Sequence, residues 1–345
     1  MTSPLGPPAA LESRLKAQAF GLGFDLAGVV TLGPADTTAQ FDAWLDRGFS
    51  GEMRYLTGEG ARLRRDSRRP EPGMRSGLVV ALNYGGRQPS GPVARYARGM
   101  DYHAVMRGKL QELGAWLVAF AGASARTRAY VDTGPVLERD LARRAGIGWF
   151  GKNTNLINPR LGSFFFIGAL FTDVELKPDP PFEADRCGSC TRCLDACPTS
   201  AFVAPRILDA TRCISYLTIE LKGAIPLDLR SAMGELLYGC DICQEVCPWI
   251  IRFSRDSAEP AMKPRPQTLA PDAAELLRLD QPAWKARFGT SAMQRAKRRG
   301  LARNAAVVLG NRRDPAAIPA LEAAVRHDPD PVVREHAAWA LEQFR

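Results

Sequence analysis

All eight cysteines of the chain lie between Cys187 and Cys247. The first four, in "CGSCTRCLDACP", follow C-x2-C-x2-C-x3-C-P, and Cys213 precedes a second run, "CDICQEVCP", that holds Cys240, Cys243 and Cys247. Thiols at such spacing can bind zinc, form disulfides or ligate iron–sulfur clusters. A disulfide framework needs an oxidising compartment. Zinc built from C-x2-C pairs leaves the third cysteine and both C-P endings unexplained. The first run is the bacterial ferredoxin pattern for 4Fe–4S ligation. Three thiolates so spaced wrap three corners of a cubane in one tight loop, and the fourth, before proline, turns to a neighbouring cluster. The second run repeats the pattern with its first cysteine displaced to Cys213. Pseudo-symmetry then gives Cys187, Cys190, Cys193 and Cys247 to one cluster, and Cys197, Cys213, Cys240 and Cys243 to the other. Two adjacent clusters move single electrons, so the reaction centre must lie elsewhere in the chain.

The elements that position these ligands fall into three expected regions. Residues 1–177 read as α/β: Leu11, Leu15 and Ala19 mark an amphipathic helix, and "LVVAL", "TRAYV" and "SFFFIGALF" read as strands. Pro135 and Gly146 bracket a helix, and "GWFGKN" reads as a loop. A proline-rich linker, "KPDPPFEAD", leads into residues 178–255, an α+β ferredoxin-like region. Residues 256–345 read as all-α. "LARNAAVVLGN" and "VREHAAWALEQ" match at an offset of 32 residues, a helix-pair repeat of the HEAT type. About one and a half repeats cannot stand alone and must dock on the rest of the chain.

The 345 residues carry a net charge of +9, which favours an acidic partner such as nucleic acid. Arg295, Lys297, Arg298, Arg299, Arg303, Arg312 and Arg313 cluster without an intervening acid, as phosphate contacts require. The first residues lack the basic and apolar regions of a secretory signal, and no apolar run of about 18 residues reads as a membrane span. A cytoplasmic, monomeric protein is expected.

The two cysteine runs, "CISYLTIELKG", "YVDTGPVLERDLARRAGIGWFGKNTNLI" and "RNAAVVLGN" together resemble the epoxyqueuosine reductase family. The resemblance covers about residue 10 to the C-terminus. It implies a nitroreductase-like domain holding cobalamin, beside the two 4Fe–4S clusters, and reduction of epoxyqueuosine to queuosine at the wobble position of tRNA. The partners implied are a tRNA anticodon stem-loop and an external electron donor. The His-on motif D-x-H-x-x-G is absent, so cobalt is expected without a protein imidazole. A reductive dehalogenase, or an electron-transfer scaffold, would share some of these parts.

The resemblance places the general acid on Asp132, with a carboxyl pKa raised by burial near the corrin. Without it, Asp132 would read as a helix cap. Cobalamin contacts are expected from Tyr55, Arg95, Tyr96, Tyr102, His103, Lys152, Asn153, Asn155, Ser215, Asp241 and Ile242, several of which could equally pack or connect. Lys222, Arg295, Lys297, Arg298, Arg299 and Arg303 are the expected tRNA contacts. Glu138, Arg139 and Asp140 read as an ion-paired helix surface.

Overall fold

The computed structural model describes residues 10–345; the reading of the first residues as non-secretory falls mostly outside them. A four-stranded sheet forms the base of the N-terminal half. Its strands, in chain order, are β1 (Leu26–Thr31), β2 (Ser76–Asn83) and β3 (Thr127–Val131), then, after a short hairpin of β4 (Trp149–Phe150) and β5 (Leu156–Ile157), β6 (Phe165–Thr172). The order is β1-β2-β6-β3, antiparallel throughout. The mixture of helix and strand is as expected. The antiparallel pairing removes the rule that sites gather at carboxyl ends of parallel strands. β1 was not read from the sequence, and "GWFGKN", expected as a loop, spans β4 and the turn that follows it.

Every residue of β2 is buried. Leu78, Val80 and Leu82 join one core cluster and Val79 and Ala81 another, because helices cover both faces of the sheet. This is why its strands read as continuous apolar runs. On one face lies the helix Tyr102–Ala121, which buries Met106, Leu110, Leu113 and Leu117, one stripe at helical spacing. Truncating Leu113 to alanine would cost about 2–5 kcal/mol. The tip of Met106 packs directly over Gly168 of β6, where a Cβ would lie 2.9 Å from its Cε. The shorter helix Glu138–Arg144 packs on the other face.

The C-terminal helices dock as their repeat count demands. Helix Lys297–Arg312 is enclosed along most of its length by helices Ala273–Arg278 and Pro331–Glu342 and the cysteine-rich region. Asn304 donates to the carbonyls of Thr218 and Leu237. Two of the expected tRNA contacts are consumed here. Arg303 is 2% exposed and donates to the carbonyls of Leu217, Leu221 and Gly223. Arg298 makes a bidentate pair with Asp328 and reaches the Leu279 carbonyl. Both are corrections, because a guanidinium enclosed by carbonyl and carboxylate oxygens cannot meet a phosphate. One core cluster runs from Leu15 through Leu110 and Ile250 to Ala340.

His336 joins the C-terminal helices to the cysteine-rich region. Its Nε2 accepts from the Ile225 amide at 3.0 Å, and its Nδ1 lies 2.7 Å from the Val332 carbonyl. Burial lowers its pKa to about 4. The unfolded chain therefore binds the proton first as pH falls, so stability is present above the ordinary histidine range and is lost from about 6.5 downward. Thermal unfolding should show a fall in Tm between about pH 6.5 and 4 that His336→Gln lacks.

Candidate active site and cluster ligands

The first ligand set encloses a cavity of about 210 Å³, lined by Cys187, Cys190, Cys193 and Cys247 with Lys152, Asn153 and Trp249. Two short helices and their flanking turns, Arg192–Asp195 and Ile242–Glu245, carry ligands from the two runs into mutual contact. No three His, Cys, Asp or Glu side chains among the described residues close on a point as a single ion needs. A cubane instead spaces its thiolates around a volume. All eight cysteines are free. Burial pushes the thiols of Cys193 and Cys240 up to about 11 and 12, so the thiolate form needs the compensating charge of iron. The donor set fits clusters on these grounds.

Lys152 and Asn153 serve these loops. Lys152 Nζ donates to the carbonyls of Gly188 and Cys190 at 2.7 and 3.0 Å, and Asn153 Nδ2 donates to the Cys243 carbonyl at 3.2 Å. Arg95 and Asp241 bind each other at 3.1 Å, and Arg95 also pairs with Glu245 at 2.6 Å. Each of these four expected cofactor contacts thus also braces the protein, through the bonds just given. Asn155 donates its amide to Asn153 Oδ1. Ser215 and Ile242 flank the ligands Cys213 and Cys243, and both are half-buried.

Asp132 lies just past the end of β3, with φ +55°, a conformation that costs a non-glycine residue about 1–3 kcal/mol. Its Oδ2 is 3.2 Å from His103 Nε2. His103 Nδ1 is 2.7 Å from Asp101 Oδ1, and Asp101 caps the helix Tyr102–Ala121. Gln294 holds the other Asp101 oxygen at 2.8 Å. Tyr102 stacks between His103 and Phe166, with centroids 4.1 and 4.0 Å away. Tyr96 packs edge-on against Tyr102.

Burial raises the Asp132 carboxyl, but the hydrogen bond and charge of His103, with Tyr102, outweigh it and hold the pKa below the ordinary value. Burial lowers His103, yet Asp101 and Asp132 raise it to about 9. The expected raised pKa of Asp132 is thus corrected: the local proton resides on His103. The side chain of Asp132 is 62% exposed, so it faces open space. Arg64, Tyr55 and Arg295 line that space. Arg64 donates to the carbonyls of Tyr55 and Gly134, and Arg295 pairs with Glu220 at 2.8 Å while lying 5.6 Å from the centre of the Tyr55 ring.

Glu138 departs from its expected ion-paired surface position. Its Oε1 is enclosed without a hydrogen-bond partner. Burial, then the charge of Asp132, pushes its pKa to about 8 against Arg64 and Arg139. Asp140 lies 3.6 Å from Arg144, the expected pair, but is also buried and accepts from Thr37. Asp101, Arg64 and Glu220 escaped the sequence reading, and Glu138 was read without its tie to Asp132, since only folding brings them together. The run "GMDYH" did carry a signal, an aspartate at a helix cap two residues before a histidine.

The description "Epoxyqueuosine reductase QueG, DUF1730" matches residues 64–133, "4Fe-4S double cluster binding domain" matches 186–250 and "HEAT repeats" matches 274–345. A Pseudomonas aeruginosa protein named epoxyqueuosine reductase is 41% identical over 346 residues, covering 97% of this chain and 94% of that one. The chain belongs to the epoxyqueuosine reductase family. An Escherichia coli epoxyqueuosine reductase is 39% identical, with 96% and 89% coverage. A solved epoxyqueuosine reductase bound to an epoxyqueuosine-modified tRNA-Tyr stem loop matches with TM-score 0.88 and 34% identity, over 97% of this chain and 90% of that one. Another, from Bacillus subtilis, has the loop of a catalytic aspartate swung out of the active site and matches with the same TM-score, identity and coverage. Membership makes the chain an oxidoreductase with a 4Fe–4S binding region. No described helix is long and apolar enough to cross a membrane.

Removing the Lys152 clamp should loosen the first ligand loop. Lys152→Met is expected to lower iron per chain after anaerobic reconstitution and to speed cluster loss to a chelator, with the fold intact by circular dichroism.

Proposed function

We propose that this protein reduces epoxyqueuosine in tRNA to queuosine, with Asp132 and His103 delivering the proton that opens the epoxide. Family membership supports the substrate, and the His103–Asp132 contact carries the assignment of the acid. Reduction consumes two electrons and two protons and yields an alkene and water. Bound cobalamin would supply a cobalt nucleophile, and the clusters would supply its electrons. The open space beside Asp132, the positive-φ turn and the enclosed, unpartnered Glu138 oxygen fit a large polar cofactor there. Asp132, Tyr55, Tyr96, Tyr102, His103, Asn155, Ser215 and Ile242 are the residues that would border it.

The chain's own groups do the proton work. His103 carries a proton at neutral pH, Asp101 fixes its ring, and Asp132 takes the proton from Nε2 and presents it to the epoxide oxygen. Glu138, protonated below about pH 8, holds a second proton at the base of the same turn. Tyr102, stacked on His103, keeps the ring from tilting. Exposed Lys222 and Lys297, with Arg295 and Arg299, are placed to meet the RNA backbone; Arg299 pairs with Asp330 at 3.0 Å and Arg295 with Glu220, carboxylates that a phosphate would replace.

Asp132→Asn should keep tRNA affinity and cluster content yet lose at least about a hundredfold in turnover, the usual size of a general-acid effect. Wild-type turnover sinks the assignment. The alkaline limb of the rate should follow Glu138 and His103, since both deliver protons only below their pKa values of about 8 and about 9. Glu138→Gln should remove the inflection near 8 and leave the one near 9, measured as anaerobic conversion against pH.

A further inference from the structure

The two ligand sets differ in surroundings. The helix Ile214–Ile219 that follows Cys213 ends at Glu220, the partner of Arg295 beside Asp132. The second set therefore faces the reaction site. The first set pairs the buried Cys193 and Cys247 with an exposed loop. Its loop, residues 183–192, is exposed except at the half-buried cysteines Cys187 and Cys190.

Beside this loop is an apolar step with a cationic rim. Helix Pro248–Phe253 starts directly after the ligand Cys247, whose carbonyl accepts the Ile251 amide at 2.9 Å. Ile251 is 63% exposed. Trp249 packs edge-on against Trp149, and Trp149 Nε1 donates to Cys187 Sγ at 3.4 Å. Arg186 lies over the Trp249 and Phe182 rings, and Arg192 and Arg252 are exposed nearby. Among the acids of this face, Asp185 is taken by Arg206 at 2.5 Å and Asp195 accepts from Thr191. Glu183 remains, so cations are in excess. Among the described residues none of Arg186, Arg192 and Arg252 is ion-paired, unlike Arg206. An exposed isoleucine within an unpaired cationic rim is a small apolar core with a charged border, the anatomy of a transient interface.

We infer that the Ile251–Arg252 face, with Arg186 and Arg192, docks an acidic one-electron carrier protein that reduces the first cluster. This rests on the proposed two-electron reduction and gives its electrons a point of arrival. In each encounter the donor's reduced flavin or iron–sulfur centre would give up one electron, which a 4Fe–4S cluster held by Cys187, Cys190, Cys193 and Cys247 would accept. Two encounters supply the pair that the epoxide takes. A weak, salt-sensitive complex is expected, because the donor must leave between electrons and exposed charges are screened over about 8 Å at physiological ionic strength.

The probe is a reduced flavodoxin, an acidic flavoprotein, mixed anaerobically with reconstituted protein. Ile251→Glu and Arg252→Glu should each slow flavodoxin-driven bleaching of the cluster absorbance at least about tenfold and raise the flavodoxin Kd in titration. Rising salt should weaken binding to the wild type. Both positions are exposed, so iron content and Tm should be unchanged. With dithionite as reductant, both variants should convert epoxyqueuosine-containing tRNA at the wild-type rate. Wild-type bleaching and Kd in both variants overturn the docking face. A loss of tRNA affinity in the variants also overturns it, since the face would then be an RNA contact. Absence of conversion by wild type with dithionite would instead defeat the proposed activity.

Discussion

The arrangement depends on one imidazole held between two carboxylates. His103 touches Asp101 through Nδ1 and Asp132 through Nε2. Two anions outweigh the cost of desolvating one cation, so the ring stays protonated and Asp132 stays ionised beside it. That stores a proton next to an exposed carboxylate without a fully buried, neutral aspartic acid. It also constrains the backbone: Asp132 must adopt a positive φ to meet the ring.

Each group in that chain is placed by a different part of the fold. The helix Tyr102–Ala121 presents His103 and packs its Met106, Leu110, Leu113 and Leu117 stripe on the sheet. β3 delivers Asp132. The C-terminal half reaches in through Gln294, which holds Asp101, and through the Thr290 carbonyl, which accepts the Asp101 amide. The helical region is thus coupled mechanically to the acid site as well as presenting cations. Its own position is fixed by Arg303 and Asn304, which saturate carbonyls around the second cluster's ligands. Cysteine-bearing loops, the cation-bearing C-terminal helices and the proton site share one packed body.

The electrostatic contrast across the molecule follows function. Around Asp132, cations and anions are paired, as His103 is with Asp101 and Asp132 and Arg295 with Glu220. At the surface of the first cluster, arginines stand unpaired around an exposed isoleucine. Paired charges near the chemistry limit the cost of burial, while unpaired charges at the rim steer encounter.

The sequence by itself determined the metal chemistry and the three kinds of region. Cysteine spacing is local and nearly free of alternatives, and hydrophobic period marked β2, β3, β6 and the first helix. "YVDTGP" marked Asp132 only through its family resemblance. What the tertiary structure decided was which charges are spent. Arg298 and Arg303 look the same in sequence as Arg295 and Lys297, yet two are buried against oxygens and two face outward. Glu138 read as an ordinary helix-surface acid, and only the packing around it removed its partners. Pairing and burial arise between segments far apart in the chain, as with His103 and Asp132 or Arg303 and Leu217. No local period encodes them, so the proton's place on His103 became visible only in the folded molecule.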